Sequence, residues 1–153
     1  MATWGEFASA RPEMAAVLAG LLDWIPICYL ATVAADGSPR VHPFVPILTG
    51  GRMFIACIPS PKRNDLLRDG RYAMHALPGK WRDSIGDDEF YMTGRAVLRD
   101  DEETRGIVTE AAKHEIRRED LLFELEIERV MTAYWEKVGQ PGTYAVRQFW
   151  HVQ

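Results

Sequence analysis

The clearest pattern along the chain is a series of short apolar runs separated by turns rich in Gly, Pro and Asp. Runs of this length are too short for isolated helices and are typical of strands with one or both faces buried. The Asp36-Gly37 pair after the first run is typical of a type I′ hairpin turn, which needs positive φ angles. The pattern predicts seven strands, at positions 27–35, 39–48, 53–58, 71–77, 89–99, 121–135 and 144–152.

Two of the predicted strands carry an additional signal. Pro43 and Pro46 cannot donate hydrogen bonds to a neighbouring strand, so the strand at 39–48 is predicted to be an edge, bulged or kinked strand. In the segment 121–135, apolar residues alternate three times with glutamates, which is the period of a half-exposed strand. A helix also fits part of this segment, but the repeated alternation favours the strand.

Helical periodicity occurs at three places. Positions 12–25 carry apolar residues on one helix face, and a short helix is predicted at 61–68. An amphipathic helix is predicted at 101–113, with Asp100 as its N-cap. The stretch 78–88 combines Pro, Gly and charged residues and is predicted to be a mobile loop. Many strands, tight turns and few helices predict a mainly β fold with peripheral helices, closed into a mostly antiparallel barrel.

Length and charge narrow the class of protein. A chain of 153 residues predicts one domain over 1–153, and its net charge of −4 argues against binding to nucleic-acid phosphates. No apolar run approaches the roughly 20 residues of a membrane helix, and the N-terminus lacks the pattern of a signal peptide. Cys28 and Cys57 lie in apolar runs and are expected to be small buried residues. We therefore expect a soluble cytoplasmic protein.

The most informative stretch for chemistry is Ser60-Pro61-Lys62-Arg63, between a predicted strand and the short helix at 61–68. Ser60 is placed to cap the helix, and Pro61 suits its first turn. Lys62 and Arg63 stand where the helix dipole disfavours cations. An anion that binds the free N–H groups, the Ser60 hydroxyl and the cations would resolve this conflict. A phosphate is the natural candidate, while the structural alternative is a capped helix with two solvated cations.

A second cluster lies on the predicted strand 39–48. Arg40, His42 and Phe44 are two residues apart, so their side chains leave the same face of the strand. If this strand pairs with strand 53–58 through the turn at 49–52, Arg40 and His42 lie near Ser60 and add donors to the anion site. Taken singly, a solvated Arg40 and a structural His42 are the more common situations.

The remaining signals are weaker. The spacing of the other histidines does not predict a metal site, and neither a Walker loop nor a dinucleotide fingerprint occurs in the sequence. Four further side chains could stack on a planar ligand, although tryptophans more often lie in a core or a subunit interface. They are Trp81, Arg82, Trp135 and Trp150.

Several short motifs, taken in order over roughly residues 25–135, resemble the pyridoxamine-phosphate-oxidase-like family of flavin-binding split β-barrels. Each motif is loose by itself, and the resemblance depends on their order. The motifs are Leu30-Ala31-Thr32-Val33, Asp36-Gly37-Ser38-Pro39, Val45-Pro46, Met53-Phe54-Ile55-Ala56, Ser60-Pro61-Lys62, Asp69-Gly70-Arg71-Tyr72-Ala73-Met74 and Gly94-Arg95-Ala96.

The resemblance implies a homodimer with two FMN sites at the subunit interface. It also implies hydride or electron transfer from a nicotinamide donor to an unidentified small molecule. Ser60 and Lys62 match the family's Ser-Arg-Lys phosphate motif, and His42 stands where the family tends to have a basic strand residue. The expected cofactor-binding residues are Arg40, His42, Ile58, Ser60, Lys62 and Arg63.

Two departures from the family pattern limit what the resemblance implies. Pro61 replaces the middle Arg of the phosphate motif, so Arg63 would have to supply that charge. The segment Arg147-Gln148-Phe149-Trp150-His151 has the wrong spacing for the Arg-x-His motif of genuine pyridoxamine phosphate oxidases, which argues against oxidation of vitamin B6.

Three alternatives to an FMN oxidoreductase remain open from the sequence. The first is a deazaflavin-dependent reductase, with Arg63, Lys80 and Arg82 available for the acidic tail of that cofactor. The second is a flavin-binding carrier or stress sensor without turnover. Haem binding is a remote third, because no axial-ligand context is evident around His42 or His75.

Overall fold

The computed structural model describes residues 1–77 and 88–153, which form four helices and eight strands. The helices are α1 (Trp4–Ala10), α2 (Pro12–Trp24), α3 (Pro61–Arg68) and α4 (Glu102–Ala111). The strands are β1 (Cys28–Val33), β2 (Pro39–Phe44), β3 (Ile47–Thr49), β4 (Arg52–Cys57), β5 (Arg71–Ala76), β6 (Glu89–Leu98), β7 (Leu121–Glu136) and β8 (Tyr144–His151). The mainly β architecture with peripheral helices that the sequence predicts is confirmed.

The strands form one antiparallel sheet in the order β2-β1-β5-β6-β7-β4-β3. The long strand β7 pairs with β6 along one edge, and with β4 and then β8 along the other. The segment 121–135, for which a helix was the alternative, is therefore a strand. It pairs with β4, β6 and β8.

The connection between β2 and β3 requires this sheet to curl into a barrel. These two strands lie at opposite ends of the strand order, yet only Val45 and Pro46 separate them in the sequence. Three Cα steps span at most about 11 Å, whereas seven flat neighbouring strands would separate their outer members by about 29 Å. The two ends must meet, and the predicted strand 39–48 is confirmed as a kinked strand that divides into β2 and β3. This division raises the strand number from the predicted seven to eight.

The main core fills the inside of this curved sheet. Alternate residues of β1, β5, β6 and β7 point into it, and α1 and α2 add further apolar side chains. Typical members with no exposed surface are Phe7, Met14, Leu18, Leu30, Met74, Met92 and Val130.

A second, smaller apolar cluster lies outside the sheet beneath α4. It consists of Ile47, Phe54, Val108 and Leu122. This cover explains why Glu124 on β7 is only 3% exposed, although its position in the alternation predicts an exposed side chain. Its carboxylate accepts hydrogen bonds from Arg52 Nη2 at 2.7 Å and Arg99 Nε at 3.1 Å.

Helix boundaries differ from the predictions in two places. Helix α1 was not predicted, although its capping box is visible in the sequence as Thr3 and Glu6. The N-cap of α4 is Asp101 rather than the predicted Asp100, because the Asp101 carboxylate accepts from the Thr104 N–H at 2.9 Å. Asp100 instead pairs with the Arg105 guanidinium.

Both cysteines are free and fully buried, as the apolar runs around them predict. Burial raises the pKa of the Cys28 thiol to about 12 and that of the Cys57 thiol to about 11. Most of the predicted loop 78–88 lies outside the described residues, together with Lys80, Trp81 and Arg82. Within the described ranges, no helix has the length and apolar character needed to cross a bilayer.

Candidate functional site

Helix α3 begins immediately after β4, and its first turn is built as the sequence predicts. The Ser60 Oγ accepts a hydrogen bond from the Arg63 N–H at 3.3 Å, and Pro61 occupies the first helical position. The Ser60 hydroxyl also donates to the Ile58 carbonyl oxygen at 2.9 Å. This bond engages the only proton of that hydroxyl, so the hydroxyl must rotate before it can donate to an anion.

The two cations of this turn have different surroundings. Lys62 is a half-buried residue, and its ammonium makes no ion pair or hydrogen bond with the described residues. The Arg63 guanidinium donates from Nη1 to the Glu119 carbonyl oxygen at 3.1 Å, while its buried Nε has no partner among the described residues. Lys62 is therefore the cation of this turn that is free to bind a ligand, and Arg63 is partly committed to the segment before β7.

Arg40, His42 and Phe44 lie on one face of β2, as their spacing predicts. Phe44 reaches the core, while Arg40 and His42 are half-buried and pair in register with Thr32 and Leu30 on β1. The face they share is therefore the inner face of the sheet.

The reason for their closeness to Ser60 differs from the prediction. We expected strand 39–48 to pair with strand 53–58 through the turn at 49–52, but only β3 makes that pairing. Strand β2 pairs with β1, and α3 meets these two strands through a buried carboxylate, Asp65. The helix, rather than a strand pairing, brings Arg40 and His42 to the beginning of α3.

Asp65 is the residue of this region that the sequence analysis missed. It is 3% exposed, and its Oδ2 accepts from Thr32 Oγ1 and from Arg40 Nε, each at 2.9 Å. Its Oδ1 accepts from Arg68 Nη2 at 3.1 Å. A carboxylate one helical turn after two cations resembles a surface ion pair in the sequence, so nothing there indicated a buried anchor.

His42 has an unusual environment. Its Nε2 is buried and has no hydrogen-bond partner among the described residues. Burial is the main cause of its lowered pKa, and the Lys62 and Arg40 charges lower it further, against a smaller opposite effect of Asp65. The imidazole is therefore neutral at neutral pH and lies within the field of both cations.

The arrangement can bind an anion. Pro61 has no N–H, and the Arg63 and Asn64 N–H groups already bond to Ser60, so the Lys62 N–H is the donor that this turn leaves free among the described residues. Beside it lie the Lys62 ammonium and the His42 Nε2, which also have no hydrogen-bond partner within the described ranges. Ile58, which is 56% exposed, adds an apolar side chain beside these groups. Arg40 contributes less charge than the sequence suggests, because Asp65 already balances it.

No protein-family model matches the chain, and no curated protein matches its sequence at a significant level. Solved structures do match its fold. A haem-binding protein from Mycobacterium smegmatis is 19% identical with a TM-score of 0.63, over 89% of this chain and 58% of that protein's chain. The chain thus spans little more than half of that protein's length.

Two further structures match most of both chains. A NimC/NimA family protein from Clostridium acetobutylicum is 17% identical with a TM-score of 0.58, over 87% of this chain and 92% of that one. A candidate pyridoxamine 5′-phosphate oxidase from Listeria innocua is 18% identical with a TM-score of 0.55, over 77% and 95% of the two chains. At these identities the likeness concerns the fold, and the chain has the split-barrel fold of such proteins.

Proposed function

We propose that this protein binds FMN, with the flavin phosphate at the N-terminal turn of α3, and transfers hydride or electrons to a small molecule. The observation that carries the proposal is the Lys62 ammonium in the first turn of a helix, which has no partner in the part of the chain that the structure describes. A cation there is unfavourable with respect to the helix dipole unless an anion joins it. The fold is similar to that of a candidate pyridoxamine 5′-phosphate oxidase, and this similarity also supports a flavin as the ligand.

The residues present fit a phosphate group. Two buried nitrogen atoms have no partner among the described residues: His42 Nε2 on β2 and Arg63 Nε in the first turn of α3. Buried polar atoms normally have hydrogen-bond partners, and phosphate oxygens can accept from several donors at once. Ser60, after rotation of its hydroxyl, adds a further donor, and Arg63 would supply the charge of the family's middle Arg, which is Pro61 here.

The chain's own part in the chemistry is to bind and orient the cofactor. Bound flavin supplies hydride or electron transfer at its ring. The positive end of α3 and Lys62 would hold the phosphate group, and the exposed Ile58 side chain would offer an apolar contact to the cofactor. The described residues of this corner offer no acid–base pair, which is compatible with chemistry carried by the cofactor.

We further propose a homodimer, with a nicotinamide as the electron donor. The support for the homodimer lies in one register row on the outer face of the sheet, which we name the aromatic row, while the nicotinamide donor follows only from the resemblance to the family. The aromatic row runs from Tyr29 through His75, Tyr91 and Met131 to Phe149. Tyr29 is 43% exposed and Phe149 is 60% exposed. Large aromatic side chains exposed on one face of a sheet are typical of a protein–protein interface.

The first test is the visible absorption spectrum of the purified protein, followed by titration with FMN and with a deazaflavin cofactor. A yellow protein, or one that binds FMN more tightly than the deazaflavin, supports the proposal. Preference for the deazaflavin contradicts the FMN assignment and leaves the anion site in place. Absence of turnover with NAD(P)H and a panel of acceptors, despite bound FMN, would assign a carrier instead of an enzyme.

The Lys62 ammonium provides the sharper test. We expect Lys62→Ala to weaken FMN binding by about 1.5–3 kcal/mol, the range of a charge-assisted hydrogen bond. Lys113→Ala is the matched control, because Lys113 is exposed just after α4 and has no ion pair with a described residue. Calorimetric titration measures both variants, and equal affinities would contradict a phosphate site at α3.

Haem is the second candidate ligand, because one structural neighbour is a haem-binding protein. His42 is a poor ligand for ferric iron, since Arg40 and Lys62 already surround it with positive charge. The absorption spectrum separates the two candidates, because haem gives an intense Soret band that flavin lacks.

A further inference from the structure

We infer, on the basis of the FMN site proposed above, that His42 takes up a proton when a phosphate monoester dianion binds at α3. The protonated imidazole would then strengthen the binding of phosphorylated flavin relative to riboflavin, which has no phosphate. Its affinity contribution would grow as the pH falls.

The geometry around His42 supplies the first argument. His42 lies on the inner face of β2, opposite Leu30 of β1, and its Nε2 is buried without a hydrogen-bond partner among the described residues. An imidazole nitrogen that has neither donor nor acceptor beside it is available to a ligand oxygen. The neutral ring can bind an anion only through a nitrogen that carries a proton.

The charges that face His42 supply the second argument. Arg40 lies on the same strand, Lys62 and Asp65 come from α3, and the paired residue Leu30 of β1 is apolar. Asp65 pairs with Arg40 and opposes the cations at His42, but its effect there is smaller than that of either Lys62 or Arg40. Without a ligand, the ring faces excess positive charge and stays neutral.

A phosphate dianion would reverse this balance. Its two negative charges would offset Lys62 and would favour the protonated imidazole, which then donates from Nε2 to a phosphate oxygen. The proton comes from solvent, so one proton enters the complex together with the ligand. Proton linkage then sets the pH dependence of the affinity for the phosphate ligand. Between the His42 pKa of the free protein and that of the complex, this affinity rises by up to about tenfold for each pH unit by which the pH is lowered.

The experiment is calorimetric titration with FMN in buffers of different ionisation enthalpy, which counts the protons taken up. It is performed above pH 7, where a phosphate monoester, whose second pKa is about 6, is already a dianion. We expect a net uptake that approaches one proton as the pH falls towards 7, and no comparable uptake with riboflavin. Equal uptake with riboflavin would assign the proton to another group and overturn the inference.

Two substitutions distinguish protonation from a structural role. His42→Gln should abolish the proton uptake, whereas His42→Arg, with its permanent charge, should bind FMN with no uptake and with a flat pH profile. His114→Gln is the matched control, because His114 is exposed beyond α4. The uptake by His114→Gln should equal that of the unsubstituted protein.

The outcomes separate this inference from the proposed function. If the unsubstituted protein binds FMN without taking up a proton, the inference fails and the FMN site stands. If FMN does not bind at all, both fail. If His42→Gln retains the full uptake, the proton belongs to another residue and the inference also fails.

Discussion

At the residue scale, Asp65 decides how the candidate site is assembled. Its carboxylate receives hydrogen bonds from β1, from β2 and from its own helix, so it fixes α3 against both strands. Burial by itself raises the pKa of this carboxyl, but the bonds from Thr32, Arg40 and Arg68 outweigh burial and hold the pKa below its usual value. The charged form of Asp65 therefore stabilises the folded protein.

We expect Asp65→Asn to lower the free energy of unfolding at neutral pH by about 1.5–3 kcal/mol, since hydrogen bonds to a charged group have this magnitude. The sign of the pH dependence follows from the lowered pKa. The advantage of the unsubstituted protein is present above the ordinary aspartate pKa of about 3.9. It disappears as the pH falls through the lower pKa of the folded state.

Urea unfolding at several pH values measures this difference. Asp23→Asn is the control, because Asp23 is exposed at the end of α2 and makes no ion pair with a described residue. Its effect should remain within about 0.5 kcal/mol. A pH-independent loss at Asp65 would show that the amide fails to pack and that charge is not the cause.

The sequence predicted the local part of the site and missed its long-range part. Ser60 caps α3 as expected, because capping depends on residues only three positions apart. The partner of Arg40 could not be predicted, because Asp65 lies 25 positions away on a helix whose docking depends on the whole sheet. For the same reason, the lowered pKa of His42 has no signature in the sequence.

At the element scale, the pairing of β6 with β7 depends on a close approach at Gly94. The register shifts between Thr93 and Gly94, and Ile127, the β7 residue opposite Gly94, also pairs with Ala2 at the N-terminus. A Cβ atom at Gly94 would lie 1.9 Å from the Glu126 carbonyl oxygen. Because the obstructing atom belongs to the backbone, no side-chain rotation can relieve the clash.

Gly94→Ala should therefore lower the free energy of unfolding by 1–3 kcal/mol or more, about the cost of overpacking a closely packed interior. Gly20→Ala is a control of identical chemistry in the exposed part of α2, where an added Cβ meets no atom within 4 Å. That substitution should stabilise the protein by about 0.5–1 kcal/mol, the difference in helix propensity. Chemical denaturation measures the change in the free energy of unfolding for both variants, and the two changes should have opposite signs. Equal changes would contradict the role of Gly94.

At the scale of the whole molecule, the aromatic row lies on the face of the sheet opposite the main core. Val41, which is 62% exposed, occupies the next register row on the same outer face, paired with Ala31. A homodimer formed through this face would bury these side chains. The same contact would place two copies of the candidate site in one assembly.

We expect Val41→Asp to weaken the proposed dimer by at least about tenfold in dissociation constant, because an unpaired carboxylate would be buried in the interface. Ile107→Asp is the control, since Ile107 is 47% exposed on α4, remote in the fold from the aromatic row. Sedimentation equilibrium measures both variants. A monomeric unsubstituted protein, or equal effects of the two substitutions, would contradict a dimer through this face.

Local sequence patterns were enough to predict the strands, the Asp36-Gly37 turn, the break in strand 39–48 near Pro46 and the capped first turn of α3. These features depend on residues within a few positions of one another, so a local pattern contains them. Long-range contacts in the fold were needed to show that the sheet curls until β2 and β3 meet, that Asp65 and Glu124 are buried, and that two cations act on the His42 imidazole. Each of these features depends on contacts between residues that are far apart in the chain. Such contacts form only when the strands pair and the core is buried, so no local pattern contains them.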